Sequence, residues 1–380
     1  MKPKNKANAH ILILFSDTGG GHRSAAEAII EALELEFPGR FTTEMVDFFK
    51  DYAPPPFNAA PKSYSHMAEF PNMWGLGYRL SNNPRRVRAM ATLIWPYIRR
   101  DAYHLIEDHP CDLYLSVHPI VNAPLLNALQ GKRKPYVTVV TDLVSTHAFW
   151  FNNKADLVIV PTEPARQNAL SLGLREDQIK LYGLPVSDRF CHPIGNKAEL
   201  RKKLGWQDGK PVVLIVAGGE GMGPMQPTAE AINDSGLDVS LVLIAGRNKR
   251  LKTRLEAVSW NNPVRIYGFI TQMPDFMRAA DFLITKAGPG TISEAFIAGL
   301  PMILYSHMPG QEDGNIDYVV NEGAGVWAPR PELVVGALRR WMNDPGSIAA
   351  SVKACHKLAK PEAARQIART IAQMTGVSPD

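Results

Sequence analysis

Short apolar runs alternate with helical segments along most of the chain, and this alternation limits the folds it can adopt. In the first half, the runs that predict strands are residues 11–15, 41–48, 112–117, 136–140 and 157–160. Segments between them, such as 24–37 and 164–172, have apolar residues spaced by about 3.6. Strands alternating with helices predict an α/β fold, in which helices cover both faces of a parallel sheet. Ligands of such a sheet gather at the carboxyl ends of its strands.

A second series of strands predicts a second, Rossmann-like domain. Its runs are residues 212–216, 239–245, 264–267, 282–285 and 302–305. A chain of 380 residues with 45% hydrophobic content can form two cores. We assign residues 1–185 to the first domain, with an insertion at 52–100, 186–196 to a linker, 197–360 to the second domain and 361–380 to a C-terminal helix that packs back on the first. Two such domains predict a cleft between them.

Composition limits where the protein works. The three cysteines, Cys111, Cys191 and Cys355, are odd in number and far apart, which argues against a disulfide framework. No apolar stretch approaches the length of a bilayer span, and residues 1–10 leave no room for a signal peptide before the first strand. The formal charge of +5 suits an anionic substrate or membrane surface. We therefore expect a cytoplasmic protein, peripheral on the inner face of the cell membrane.

Three consecutive glycines and a histidine follow the first predicted strand, in the segment Asp17-Thr18-Gly19-Gly20-Gly21-His22-Arg23. A strand, a glycine turn and a helix present backbone N–H groups to a ligand. An imidazole adds a group that accepts a proton near neutral pH, which predicts chemistry as well as binding. The segment does not match the dinucleotide fingerprint, because Ser24 stands where a third glycine or alanine is expected.

Further histidines lie at the ends of predicted strands. His118 follows one strand, while Asp142 follows the next and opens a loop that reaches His147 and Trp150. Three histidines at carboxyl ends of one sheet favour a functional cluster over isolated structural roles. Their spacing matches no tight metal-ligand motif, so a metal site is disfavoured.

Residues 52–100 interrupt the alternation with a segment that contains no convincing strand. Eight aromatic residues are interleaved there with six arginines, and Glu69 is the only acid. Aromatic rings and cations are typical of a segment that lies at the headgroups of an anionic membrane. A helical insertion whose aromatics pack in its own domain is the alternative. Nucleic acid is disfavoured, because the overall charge is modest and no basic motif repeats.

Three glycine-rich turns follow strands of the second domain, at residues 217–224, 286–291 and 309–315. The second of these leads into a helix, whose N-terminus offers free N–H groups and a positive dipole end to an anion. Lys286 adds charge there, while Gln311 and Glu312 in the third turn suit sugar hydroxyls. Together the turns predict a nucleotide site, although none is a Walker loop. No D-x-D motif lies near them, so no tightly bound metal is expected.

These segments resemble the monogalactosyldiacylglycerol synthases. The synthases belong to glycosyltransferase family 28, which also contains the bacterial enzyme that makes lipid II. The motifs that carry the resemblance are Ser16–Arg23, Ser116–Pro119, Val140–Leu143, Tyr182–Val186, Gly218–Pro224, Gly246–Lys249, Gly268–Thr271, Ile284–Thr291 and Gly310–Glu312. The resemblance covers nearly the whole chain and implies a two-domain glycosyltransferase-B fold, with a lipid acceptor on the first domain and a UDP-sugar on the second.

The resemblance also assigns expected roles to residues. It implies that His22 is the catalytic base, and Asp17 or Glu27 is expected to orient it. UDP-sugar contacts are expected at Gly219, Gly221, Met222, Gly223, Arg247, Gly268, Phe269, Ile270, Lys286, Ala287, Gly288, Pro289, Gly290, Thr291, Gly310, Gln311, Glu312 and Asn315. Acceptor or lipid contacts are expected at Gly20, Gly21, His118, Asp142, His147, Trp150, Arg85 and Arg86.

The expected reaction is an inverting transfer of galactose from UDP-galactose to the free hydroxyl of 1,2-diacylglycerol. UDP-glucose as donor remains an alternative, because the two sugars differ at one stereocentre. A UDP-sugar epimerase or hydrolase would not need residues 52–100, and a non-catalytic UDP-sugar-binding membrane tether would not need His22. The sequence does not decide processivity or oligomeric state.

Overall fold

The chain forms two compact units in a computed structural model that describes residues 8–17, 20–59, 70–130, 134–192, 195–206, 209–219, 221 and 223–378. The first unit consists of Met1–Asp188, Pro309–Gln311 and Glu362–Asp380. The second consists of Arg189–Met308 and Glu312–Pro361. Each unit contains one six-stranded parallel sheet, so the predicted α/β class is confirmed.

The sheet of the first unit has the strand order β2-β1-β3-β4-β5-β6, and every pair is parallel. Ile13 of β1, for example, pairs with Met45 of β2 on one side and with Leu115 of β3 on the other. The strands are β1 (Ala9–Phe15), β2 (Phe41–Asp47), β3 (Leu113–Ser116), β4 (Tyr136–Val139), β5 (Leu157–Val160) and β6 (Ile179–Leu181). The last of these was not predicted, because two of its three side chains are exposed and it shows no apolar run.

Helices cover both faces of this sheet. They are α1 (Gly21–Glu36), α2 (Phe48–Asp51), α3 (Pro71–Ser81), α4 (Pro84–Asp108), α5 (Asn122–Ala128), α6 (Glu163–Ser171) and α16 (Ala363–Thr375). The short helix α7 (Asp188–Cys191) starts at the boundary, and its last three residues belong to the second unit. Alternate residues of β1 enter opposite cores: Leu12 and Leu14 pack with α4 and α5, whereas Ile13 packs with α1 and α16. On the latter face, Glu36 of α1 binds Arg365 and Arg369 of α16.

The described part of residues 52–100 is helical, apart from the turn that follows α2. Two helices, α3 and α4, account for most of it, and α4 continues past residue 100 to Asp108. Asn83 caps α4 by accepting hydrogen bonds from the backbone N–H groups of Arg85 and Arg86. Tyr64 and Glu69 lie outside the described residues.

The sheet of the second unit has the order β12-β11-β10-β7-β8-β9, again with every pair parallel. Its strands are β7 (Val212–Val216), β8 (Ser240–Ile244), β9 (Val264–Tyr267), β10 (Phe282–Lys286), β11 (Met302–Ser306) and β12 (Gly325–Trp327). Its helices are α8 (Lys197–Leu204), α9 (Met225–Asp234), α10 (Lys249–Glu256), α11 (Met273–Ala279), α12 (Pro289–Ala298), α13 (Asp313–Asn321), α14 (Pro331–Asn343) and α15 (Pro345–Leu358). The order places β7 and β10, which precede two of the glycine turns, side by side at the centre.

Candidate functional site

His22 lies at the start of α1, at the carboxyl edge of the first sheet. Its Nδ1 is 2.8 Å from Oγ1 of Thr141, which follows β4. The ring of His118, after β3, meets the His22 ring edge-on at 4.7 Å between centroids, and the Trp150 ring lies 6.0 Å away. Adjacent parallel strands therefore bring together side chains that are far apart in the sequence.

Burial lowers the pKa of His22 from 6.5 to about 4, against a smaller opposing effect of a hydrogen bond with the backbone of Val117. Burial and the neighbouring His22 also hold the pKa of His118 well below its usual range. Both rings are therefore neutral at pH 7. A neutral imidazole can accept a proton, which is the state that a general base requires.

The two carboxylates expected to orient His22 contact a different side chain. Asp17 forms a bidentate salt bridge with Arg23, with both nitrogen–oxygen distances at 2.7 Å. Glu27 lies 3.9 Å from the same guanidinium, one turn along α1. The hydroxyl of Thr141 takes the place that we expected a carboxylate to fill. Thr141 was not among the expected site residues, although it lies in the motif Val140–Leu143 and could have been singled out there.

Asp142 is buried near His22 and accepts hydrogen bonds from two side chains. Its Oδ2 accepts a hydrogen bond from Nε1 of Trp150 at 2.6 Å, and its Oδ1 accepts one from Nε2 of Gln311 at 3.0 Å. Trp150 has no exposed surface, which does not agree with the direct lipid contact expected for it. Its ring instead supports Asp142 and lies behind His22.

His147 fastens α3 to the loop after β4. Its Nδ1 accepts the backbone N–H of Phe149 at 3.1 Å, so its Nε2 carries the proton and donates to Oγ of Ser81, also at 3.1 Å. Burial lowers its pKa to about 4. Tyr78 stacks edge-on against the same ring and donates its hydroxyl to the carbonyl of Ser145. Both nitrogens of His147 are therefore occupied within the first unit.

A pocket of about 460 Å³ opens above His22 within the first unit. Its walls are mostly apolar and its polar groups are few, which is the usual composition of a small-molecule site. It is lined by His22, Phe49, Phe70, Met73, Trp74, Gly77, Tyr78, Ser81, His118, Pro119, Ile120, Asp142, His147, Phe149 and Gln311. Gly20 has a φ of 79°, and a Cβ on Gly20 or Gly21 would meet nothing within 4 Å. Thr18 and Gly19 lie outside the described residues.

Helix α3 forms one wall of this pocket and packs against Pro309–Gln311. A Cβ on Gly75 would lie 2.7 Å from Cβ of Pro309, and one on Gly310 would lie 3.0 Å from the ring of Tyr78. Only glycines permit these close approaches. The same packing holds Gln311 in the pocket, although we expected it to contact the donor sugar.

The outer surface of α3 and α4 is unusually apolar. Large hydrophobic side chains are exposed there at Phe70, Met73, Leu76, Leu80, Met90, Leu93, Tyr97 and Tyr103. Phe70 and Met73 also line the pocket, so the apolar surface continues into its mouth. Arg85 and Arg86 are exposed at the start of α4. Among the described residues, no helix is long and apolar enough to cross a membrane.

At the carboxyl edge of the second sheet, the turn after β7 depends on glycine. Gly221 and Gly223 have φ values of 66° and 97°, and a Cβ on Gly221 would lie 2.4 Å from the carbonyl of Ala245. Gly219 faces Arg247, whose nitrogen would lie 3.4 Å from a Cβ there. Met222, expected to contact the donor, lies outside the described residues, as does Glu220.

At the same edge of the second sheet, Arg247 after β8 and Phe269 after β9 form a cationic surface. The guanidinium of Arg247 lies 4.6 Å above the Phe269 ring, and both side chains are exposed. Gly268 and Ile270 flank this ring. An exposed aromatic–arginine pair of this kind can stack on a nucleobase.

The turn after β10 begins α12 and combines a helix N-terminus with a lysine. Gly288 is the N-cap residue, Pro289 occupies the first helical turn, and a Cβ on Gly290 would meet nothing within 4 Å, so the backbone around Thr291 is open to an anion. The side chains of Asn315 and Glu312 form contacts that hold this turn. Asn315 donates to the carbonyl of Ala287 at 2.9 Å, and Glu312 pairs with Lys286 at 2.5 Å and accepts the N–H of Met308.

Glu294 was not predicted to belong to the site. It lies one turn after the start of α12, and burial raises its pKa to about 7. A carboxyl group in the mostly apolar segment Ile292–Ala298 is the sequence signal that could have identified it. In the described ranges, no group of three or more His, Cys, Asp or Glu could hold a metal ion.

Comparison with known proteins identifies the family. A profile for monogalactosyldiacylglycerol (MGDG) synthase matches residues 22–186, and one for the glycosyltransferase family 28 C-terminal domain matches residues 213–367. A probable MGDG synthase of Glycine max is 37% identical over 98% of this chain and 72% of its own length. MGDG synthase 1 of Arabidopsis thaliana is 39% identical over 94% of this chain and 69% of its own. The chain belongs to the MGDG synthase family. The predicted family is confirmed.

Solved structures agree on the fold. The MnaA–UDP structure from S. aureus has a TM-score of 0.65 and 16% identity, with 98% of each chain covered. MurG from Acinetobacter baumannii has a TM-score of 0.61 and 15% identity over 96% of this chain and 99% of its own. These likenesses, with the two parallel sheets, confirm the predicted glycosyltransferase-B fold.

Proposed function

We propose that the protein transfers galactose, with inversion, from UDP-galactose to the free hydroxyl of 1,2-diacylglycerol to give monogalactosyldiacylglycerol. The observation that carries the proposal is a neutral imidazole, His22, at the base of an apolar pocket in a chain of this family. An apolar pocket suits the acyl part of the acceptor. The base then lies where the only polar end of diacylglycerol would be.

His22 takes the hydroxyl proton as the acceptor oxygen attacks the anomeric carbon. The bond from that carbon to the diphosphate oxygen breaks, and UDP leaves with the electron pair. The imidazolium then returns its proton to solvent. His118 and Trp150 hold the ring of the base, and the neutral His118 adds no charge that would repel the imidazolium.

The second unit supplies the groups for the donor. The start of α12 and the turn at Gly219–Gly223 offer backbone N–H groups to the diphosphate, and Lys286 adds a positive charge. The Arg247–Phe269 pair suits uracil. These groups require no metal ion to balance the diphosphate, and this part of the proposal predicts activity in the presence of a chelator.

The reaction assay uses the purified full chain, diacylglycerol in vesicles and radiolabelled UDP-galactose or UDP-glucose, with the product lipid analysed by mass spectrometry. We expect a galactolipid. A glucolipid would replace the donor assignment while retaining the acceptor. Altered UDP-sugar or free sugar without a lipid product would favour an epimerase or hydrolase. Donor binding without turnover would favour a membrane tether.

We further propose that the outer surface of α3 and α4 docks on an anionic membrane, at the cytoplasmic face of the cell membrane. Its exposed apolar side chains continue into the mouth of the pocket, so an acceptor could enter without crossing water. Exposed arginines, including Arg85, Arg86 and Arg88, add attraction of about 1 kcal/mol each for anionic headgroups.

Vesicle flotation tests the docking surface. The double variant Met73→Ser/Leu93→Ser and the triple variant Arg85→Ser/Arg86→Ser/Arg88→Ser should each weaken binding to anionic vesicles. The matched control is Val320→Ser/Leu333→Ser, which removes exposed apolar side chains from the second unit. Binding that is unchanged in both variants and insensitive to salt would remove this surface from the proposal.

A further inference from the structure

The hydrogen bonds of His22 determine which ring nitrogen it offers to a substrate. His22 has two ring nitrogens, and in the neutral ring only one carries a proton. The ring is held from the side by His118 and Trp150, at 4.7 Å and 6.0 Å between centroids. These contacts set the plane of the ring but do not choose the protonated nitrogen.

One polar side chain does contact a ring nitrogen at hydrogen-bond distance. Oγ1 of Thr141 lies 2.8 Å from Nδ1 of His22, and the threonine is itself buried, with 5% of its surface exposed. Thr141 lies two residues after the end of β4, so the sheet of the first unit holds its position. Thr141 is therefore the side chain that holds Nδ1, and the backbone of Val117 is the other hydrogen-bond partner of the ring.

We infer that Thr141 is a positioning residue that accepts the Nδ1 proton of His22 and so keeps Nε2 available as the base. The inference rests on the proposed function for the identity of the reaction. It goes beyond that function in naming the tautomer and the residue that sets it.

The chemistry of the transfer favours this direction of the hydrogen bond. When Nε2 takes the hydroxyl proton, the ring becomes an imidazolium with protons on both nitrogens. The Nδ1 proton then continues to bond Thr141, and no group behind the ring has to reorganise. In the opposite tautomer, Nε2 already carries a proton and cannot accept another.

A hydroxyl also differs from the carboxylate that commonly orients a histidine. A carboxylate would stabilise the imidazolium and raise the pKa of the ring. Thr141 is uncharged, and Asp17 and Glu27 are held by Arg23. The direction of the pKa shift at His22, downwards through burial, agrees with an uncharged partner.

Nuclear magnetic resonance of the ¹⁵N-histidine-labelled full chain at pH 7 tests the tautomer directly. Long-range proton–nitrogen spectra separate the two tautomers, and His22→Ala assigns the signal. We expect a proton on Nδ1 in the wild type and a mixture of tautomers in Thr141→Val. A wild-type His22 with its proton on Nε2 would overturn the inference, whether or not the protein makes a galactolipid.

Kinetics supply the second readout. Thr141→Val should lower kcat by about 100-fold, at the lower end of what a general base contributes, with KM for UDP-galactose within about twofold. Thr141→Ser should recover most of the activity, since it keeps the hydroxyl. Thr138→Val is the matched control, because Thr138 is buried on β4 and bonds Asn122 instead.

The same spectra and variants distinguish a positioning role of Thr141 from a role in packing alone. If Thr141→Val fails to fold, the wild-type spectrum and the serine variant still decide the question. A serine variant as inactive as the valine variant would overturn the inference, as would full activity in Thr141→Val. A wild type that makes no galactolipid but shows the Nδ1 tautomer would remove the proposed function and keep the assignment of Thr141.

Discussion

The two sheets have the same architecture, but their carboxyl edges carry opposite kinds of chemistry. At the first edge, the imidazoles of His22 and His118 are kept neutral beneath apolar walls. At the second, open glycine turns, a helix N-terminus and the exposed Arg247 are available to an anion, and Lys286 is paired with Glu312. Six parallel strands thus position either kind of site equally well. The side chains at strand ends decide whether an edge suits proton transfer or anion binding.

Removal of the base at the first edge should have the largest effect. His22→Ala should lower kcat by about 10²- to 10⁴-fold, the usual contribution of general base catalysis, while UDP binding measured by calorimetry stays within about twofold. His10→Ala is the matched control, because His10 lies on β1 and bonds Pro110. Full activity in His22→Ala would end its assignment as the base.

Substitutions at the carboxyl edge of the second sheet should change the affinity for UDP instead. The double variant Lys286→Met/Glu312→Gln removes the cation without leaving the buried Glu312 carboxylate unpaired. We expect UDP to bind about 10-fold more weakly, as for the loss of one charge-assisted contact. Lys203→Met, which removes a cation paired with Asp275, is the control. Unchanged UDP affinity in the double variant would exclude Lys286 from the donor site.

Acid should affect the stability of the two units with opposite signs. His118 and His147 have depressed pKa values when folded, so the unfolded chain binds more protons below pH 6.5. The first unit should therefore lose about 1.4 kcal/mol per pH unit for His147 as the pH falls from 6.5 towards 4. Glu294 has a raised pKa, so its contribution favours the second unit as the pH falls from 7 to 4.5.

Hydrogen exchange resolved by mass spectrometry, corrected for intrinsic rates, measures this difference at pH 7.5 and 5. Peptides of the first sheet should lose protection relative to those of the second. In Glu294→Gln, the second unit should lose its acid-dependent gain, while the first unit behaves as in the wild type. Equal changes in both units of the wild type would contradict the assigned pKa shifts.

Two glycines of α3 should change stability by smaller amounts. Gly75→Ala places a Cβ 2.7 Å from Pro309, so thermal unfolding should show a loss of about 1–3 kcal/mol, as for overpacking. Gly77→Ala meets nothing within 4 Å and should gain up to about 1 kcal/mol from helix propensity. A loss in Gly77→Ala as large as that in Gly75→Ala would show that packing against Pro309 is unimportant.

Much of this architecture could be predicted from local sequence. The apolar run at residues 212–216 coincides with β7, and the glycine turn at 286–291 does begin a helix. Glycines and strand periodicity act over a few residues, so their signal is visible without the fold. Short strands with exposed side chains, such as β6, lack that signal and were missed.

The contacts of the candidate site could not be predicted in the same way. Asp17 and Glu27 were the nearest carboxylates to His22 in sequence, yet Arg23 binds both. Trp150 was expected at a lipid and is fully buried against Asp142. In each case, a polar group is paired according to which partner the packing brings within reach.

Local patterns of residues are therefore enough to predict two parallel sheets, their glycine turns and a histidine at the first carboxyl edge, because periodicity and backbone freedom are local properties. The groups that surround that histidine depend on the tertiary fold. Thr141 lies 119 residues from His22, and Gln311 lies 169 residues from Asp142. Contacts across such separations exist only after the sheet has aligned its strand ends and the core has excluded water from the groups between them.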